Sequence, residues 1–149
     1  MDEQKPKTLV SAEENADVSR AVRQWLNAYL DKPLSKLDFE WLGEKSGLCI
    51  STIQAAYKTK QFIDGSYQAQ YQFKLIYRVP AKNADERMSA DEVLDAYGAW
   101  AEANAGSLTI ADGIRVRKVK RDTAAALFAR YEGDIEDHQI LLTLIYEVI

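Results

Sequence analysis

A chain of 149 residues, 47% hydrophobic and 28% charged, has the size and composition of one globular domain, long enough to bury about 68–70% of its unfolded surface. A formal charge of −4 excludes a protein that coats nucleic acid or anionic membrane over its whole surface. The single cysteine, Cys49, excludes an intrachain disulfide and a cysteine-based zinc site and is compatible with a reducing compartment.

The opening residues Met1-Asp2-Glu3-Gln4-Lys5 lack the basic and apolar segments of a secretion signal, and no run of about 20 apolar residues could span a bilayer. A soluble chain with no membrane contact, staying where it is made, is expected. Residues 1–11 are polar and poor in large apolar groups, which predicts a mobile arm in front of a single domain over 12–149.

Val18, Val22, Trp25, Leu26, Tyr29 and Leu30 then recur at three- and four-residue steps. This spacing predicts an amphipathic helix of about four turns, with Asn15 or Asp17 as N-cap and Lys32-Pro33 ending it. Phe39-Glu40-Trp41-Leu42 and Leu48 to Ile53 read as two short extended pieces around a turn from Gly43 to Gly47. Cys49, flanked by Leu48 and Ile50, is expected to be a buried, inert thiol.

From Tyr57 to Val79 the sequence predicts one long β-hairpin closed on Asp64-Gly65. On its return arm Tyr67, Ala69, Tyr71, Phe73, Leu75, Tyr77 and Val79 alternate with Gln68, Gln70, Gln72, Lys74 and Arg78. Period-two alternation of this kind means one packed face. After a charged connector from Pro80 to Met88, Ser89-Ala90-Asp91-Glu92 reads as a capping box. It would open a second helix whose face carries Val93, Leu94, Tyr97, Trp100 and Ala101 and which closes at Asn104-Ala105-Gly106.

Asp112-Gly113 opens a strand from Ile114 to Asp122 in which Arg115, Arg117, Lys118, Lys120 and Arg121 place five positive charges within seven residues. Ala124 to Tyr131 and His138 to Ile149 read as an antiparallel pair around an acidic loop, Glu132-Gly133-Asp134-Ile135-Glu136-Asp137. Both faces of the last strand are hydrophobic, so it should be central or covered by a partner. The sum is an α+β domain of order α-β-β-β-α-β-β-β, a mostly antiparallel sheet with two helices on one face and no internal repeat.

Convergent chemistry is sparse. His138 beside Asp137 has no Ser or Cys motif to join it, so the pair reads as a strand-edge feature. The seven glycines are scattered, with no phosphate loop or dinucleotide fingerprint, and no cofactor is expected. The acidic run lacks the ligand spacing of a calcium loop, so no metal is expected there either. The basic strand supports three readings: a phosphate-contacting nucleic-acid site, an edge strand guarded by charge, or a subunit contact. In the third, Arg115, Arg117, Lys118, Lys120 and Arg121 of one copy meet Glu132, Asp134, Glu136 and Asp137 of another.

One local motif points to a family. The run from Tyr57 to Phe73, with Ile63-Asp64-Gly65-Ser66 at its turn, resembles the lysine-rich strand, Ile-Asp-Gly-Ser turn and Tyr-x-Phe return strand of the minor capsid proteins of tailed bacteriophages. The helix with Tyr97 and Trp100 is similar to that family's aromatic helix, and Arg130-Tyr131 or Leu144-Ile145-Tyr146 to its closing strands. The segment Ala105 to Ile110 differs in having no proline.

The resemblance implies a non-enzymatic tail terminator or head–tail completion protein of a phage or prophage. Such a protein assembles in the host cytoplasm into a ring, commonly of six copies, and joins the virion by contacting tail-tube protein and head-side connector proteins. The polar row Gln68, Gln70, Gln72 and Lys74 would then face a lumen or solvent.

Overall fold

The structure, a computed structural model, describes residues 8–53 and 57–149. The described residues form strands β1 (Thr8–Leu9), β2 (Asp38–Phe39), β3 (Gly47–Thr52), β4 (Tyr57–Gln61), β5 (Tyr67–Pro80), β6 (Ile114–Arg121), β7 (Ala126–Tyr131) and β8 (Ile135–Val148). Two helices, α1 (Ala12–Asn27) and α2 (Ala84–Ala103), complete the α+β fold, with a single 3-10 turn at Ala105–Ser107.

The alternation of the return arm becomes the axis of the sheet. β5 and β8, 14 residues each, pair antiparallel along their whole length, from Tyr67 opposite Val148 to Pro80 opposite Ile135. The free side of β5 is shared by β4, against its first half, and β3, against its second half. The free side of β8 is shared in the same way by β7 and then β6. No repeat is visible in the sequence, yet the topology is α-β-β-β twice over, joined back to back through β5 and β8. The two short strands lie outside this plan: β1 pairs antiparallel with β4, and β2 pairs parallel with β3.

One face of the sheet carries both helices. Ala69, Tyr71, Phe73 and Leu75 of β5 lie opposite Tyr146, Leu144, Leu142 and Ile140 of β8. All eight are fully buried in one core with Val18, Val22 and Leu26 of α1 and Leu94, Tyr97 and Ala101 of α2. Burial of such side chains stabilises by about 1.5–3 kcal/mol each. Aromatic groups join the helices: Trp25 and Trp100 rings lie 5.3 Å apart, Trp25 Nε1 donates to Asn104 O at 3.1 Å, and Tyr97 O–H donates to Leu26 O at 2.5 Å. Tyr67 and Tyr146 hydroxyls donate to the Glu14 carboxylate, tying α1 to the sheet.

The hairpin forms as its sequence predicts. Gly65 N donates to Phe62 O and Phe62 N to Ser66 O, and Gly65 takes φ +92°, a region that a side chain strains. Asp64 itself keeps negative φ; its carboxylate instead accepts from Ser66 N at 3.0 Å and Ser66 Oγ at 2.6 Å, which stiffens the turn.

Several boundaries differ from the sequence reading, each for a local reason. α1 starts at Ala12 because Ser11, not Asn15 or Asp17, caps it: Ser11 Oγ accepts from Glu14 N. The first turn, Ala-Glu-Glu-Asn, carries no large apolar residue and so leaves no periodic signal. Helix α1 stops at Asn27, short of Lys32-Pro33, and Leu30 is 94% exposed. Helix α2 starts at Ala84, ahead of Ser89, because Asn83 Oδ1 accepts from Glu86 N while the Glu86 carboxylate accepts from Lys82 N. Its end at Asn104 is not left-handed, φ being −114°. Residues 1–7 of the expected arm lie outside the described residues, whereas Thr8–Leu9 is paired strand and Ser11 a cap. The acidic loop shrinks to Glu132-Gly133-Asp134, where Gly133 and Asp134 both take positive φ, and Ile135, Glu136 and Asp137 belong to β8.

Candidate interaction surface

Both Glu136 and Asp137 are buried, which corrects their placement in an acidic loop and removes them from any charge seam between copies. Each meets an arginine brought from far along the chain, Arg87 for Glu136 and Arg78 for Asp137. The Asp137 carboxylate holds Arg78 in two hydrogen bonds, Nε at 2.7 Å and Nη2 at 2.8 Å, and accepts from Tyr131 O–H at 2.9 Å. The Glu136 carboxylate accepts from Arg87 Nε at 2.6 Å and Arg130 Nε at 3.2 Å. Burial pushes the Glu136 carboxyl upward in pKa, but hydrogen bonds from Arg87, His138 and Arg130 outweigh it and hold it below the ordinary value.

His138 is not a strand-edge residue and its partner is not Asp137. It is fully buried on the helix-bearing face, with Nδ1 2.7 Å from Asp91 Oδ1 of α2 and Nε2 3.1 Å from Glu136 Oε1. Neighbouring strand residues point to opposite faces, so Asp137 leaves on the far side of the sheet. Both ring nitrogens are engaged by carboxylates, and His138 lines none of the five described cavities, which span about 160 to 490 Å³. Asp91–His138–Glu136 with Arg87 and Arg130 is therefore a closed network pinning α2 to β7 and β8.

Cys49 is buried as expected, and its thiol is pushed up to about 11, first by burial and then by the Glu40 carboxylate. Among the described residues no group of three or more His, Cys, Asp or Glu is placed to hold a metal ion, and no helix is long and apolar enough to cross a membrane.

The basic strand β6 is exposed along its charged positions and pairs, among the described residues, with β8 alone. Its cations do not form one uniform patch. Arg121 is turned toward α2 and held by Glu102, with Nε to Oε1 at 2.8 Å and its backbone N–H to Oε2 at 3.0 Å. Arg115 and Arg117 approach Glu147 loosely, at 3.9 and 3.7 Å, and Lys120 lies 4.0 Å from Asp122. Glu132 and Asp134 remain exposed at the β7–β8 turn.

The polar row Gln68, Gln70, Gln72 and Lys74 lies on the face without helices and is half-buried. Three aromatic residues to which sequence reasoning gave no functional role share that face. Phe128 lies where the β7 register shifts, with Lys74 Nζ 5.5 Å from its ring centre, and the Arg78 guanidinium is 4.8 Å from the Tyr131 ring. Trp41 lines a cavity of about 160 Å³ with Leu42, Cys49, Ser51 and Ile76. Glu40, at φ +56°, fixes this corner because its carboxylate accepts from Ser51 Oγ and from Thr52 N and Oγ1. No protein-family model matches the chain, and neither does any curated protein sequence.

Proposed function

We propose that the chain is a non-enzymatic structural protein of a tailed-phage or prophage virion, a tail terminator or head–tail completion protein that closes the tail tube as a homo-oligomeric ring. The observation that carries this reading is the tip of the β4–β5 hairpin. Phe62 and Ile63 stand exposed there, on a turn stiffened by Asp64 and Ser66, with no core to enter. Two apolar side chains on a rigid projecting tip fit contact with a second molecule. The outer edges of β6 and β7, unpaired among the described residues, give further surface for neighbouring copies. The inward-turned His138 network supports a role in contact rather than in turnover.

The partners in this reading are other copies of the chain, tail-tube protein and head-side connector proteins, and the site of action is the virion assembled in a host cytoplasm. Electron microscopy of tails assembled with and without the chain tests it. Overlong, headless tails are expected without the chain, and tube-capping rings with it. A chain that sediments as a monomer at high concentration and leaves tube length unchanged would overturn the reading.

A further inference from the structure

Three cations of β6 and three exposed aromatic side chains occupy the helix-free face of the sheet. Register sets Arg115, Lys118 and Lys120 opposite Glu147, Ile145 and Thr143, which lie opposite Gln68, Gln70 and Gln72. Further along the same face come Lys74 beside Phe128, Arg78 beside Tyr131, and then Trp41. Trp41 is 64% exposed, Tyr131 48% and Phe128 45%, so their rings meet water although each is held at one side.

Charge on this face is not the charge of the chain. The carboxylates on this face have partners within the chain: Glu40 in Ser51 and Thr52, Asp137 in Arg78, Asp122 in Thr143 and Lys120, and Glu147, more loosely, in Arg115 and Arg117. The negative excess sits elsewhere, most densely on α2, which carries six carboxylates against the single Arg87. Gln139 Oε1, on the same face between Ile76 and Ala126, is buried without a hydrogen-bond partner among the described residues.

We propose that the helix-free face binds single-stranded nucleic acid, with phosphates along Arg115, Lys118 and Lys120 and bases stacked on Phe128, Tyr131 and Trp41. Exposed rings on a cationic sheet accept unstacked bases of any sequence, whereas bases inside a duplex are already stacked and present no free faces. A protein partner fits less well, because lysine is depleted where proteins meet and this face centres on Lys74, Lys118 and Lys120. The inference goes beyond the assembly reading and stands or falls separately from it.

Fluorescence polarisation of the whole chain with a labelled oligothymidylate of roughly 20 nucleotides, and with a duplex of equal length, tests the proposal. Binding to the single strand should weaken with added salt, with a log–log slope of about −2 if Arg115, Lys118 and Lys120 neutralise roughly three phosphates. The double variant Lys118→Glu/Lys120→Glu should weaken binding at least about ten-fold and flatten that slope. Phe128→Ala, a change at an exposed ring, should weaken binding about ten-fold and leave the slope unchanged. Arg20→Glu on α1 should change neither, and circular dichroism reports whether each variant stays folded.

The proposal is overturned by absence of binding at low salt, by binding that both the lysine and the Phe128 variants leave unchanged, or by equal duplex binding insensitive to Phe128→Ala. It also falls if no oligonucleotide binds while Lys118→Glu/Lys120→Glu disrupts self-association in sedimentation, since the face is then a protein interface. Tail capping by the wild-type chain is indifferent to each of these results.

Discussion

Replacing Glu136 with glutamine keeps the side-chain shape and should still destabilise the fold markedly. Glutamine retains one carbonyl oxygen, but the charge that faces Arg87 at 2.6 Å, His138 at 3.1 Å and Arg130 at 3.2 Å is gone. Breaking a buried ion pair typically costs about 3–5 kcal/mol. Arg130 is mostly exposed and regains water, which brings its share down to the value of a surface pair. Arg87 is partly exposed, while His138 is fully enclosed and keeps only Asp91 as a carboxylate partner. The expected loss is therefore about 2–3 kcal/mol at neutral pH, at or just below the bottom of the buried-pair range. In urea unfolding at a slope of about 2 kcal/mol/M, the midpoint should fall by about 1–1.5 M with the slope unchanged.

The sign of the pH dependence follows from the carboxyl being held below its ordinary value. Its stabilisation is in place above the pKa of the unfolded chain and is lost as pH falls through the folded value. The gap between wild type and Glu136→Gln should thus narrow on the acid side of the carboxylate range. A gap under about 0.5 kcal/mol at neutral pH, the size of an ordinary surface substitution, would refute the reasoning. So would a gap that is the same in acid as at neutrality.

Other outcomes test the packing. Leu144→Ala, at a fully buried position, should cost about 2–5 kcal/mol, and Leu141→Ala, half-buried on the opposite face, clearly less, both read from urea midpoints. Gly98→Val should cost about 1–3 kcal/mol, because a Cβ there would meet Arg121 Cδ and Ile140 Cδ1 at 2.8 Å; a neutral melting temperature would contradict the close approach of α2 to β6 and β8. Cys49, enclosed and with its thiol pushed up to about 11, should react with an aromatic disulfide reagent at pH 8 only after urea is added. Rapid labelling of the native chain would mean that β3 opens readily.

The parts of the fold legible in the sequence are those where side-chain period and turn chemistry agree. The β4–β5 hairpin, the two-faced β8 and the stripe through Val18, Val22, Trp25 and Leu26 all have this local consistency. The polar network was hidden for the opposite reason. Gly-Asp-Ile-Glu-Asp-His has the composition of a solvated loop, and nothing nearby signals burial. Glu136, Asp137 and His138 go inside because Arg78, Arg87 and Asp91, more than 40 residues earlier, meet them there. Helix starts were missed where a cap, Ser11 or Asn83, precedes a turn without large apolar residues. Trp41, Phe128 and Tyr131 gave no signal because they lie on three separate segments, and only the pairing through β5 and β8 brings them to one face.

The order in which β8 is made has a cost for the nascent chain. Every strand that flanks β8 precedes it, so a ribosome has finished β5, β6 and β7 before their shared neighbour emerges. Until then the long β5 keeps one open edge and the alternate apolar side chains of β6 lack their cross-strand partners, the state in which chains adhere to one another. Hairpin β4–β5 can form early, but closure of the sheet waits for a pairing that reaches from Tyr67 to Val148. A premature stop inside those final strand codons would remove the sheet's centre rather than trim its border, and a translating cell would meet it as aggregate, not as a shortened domain.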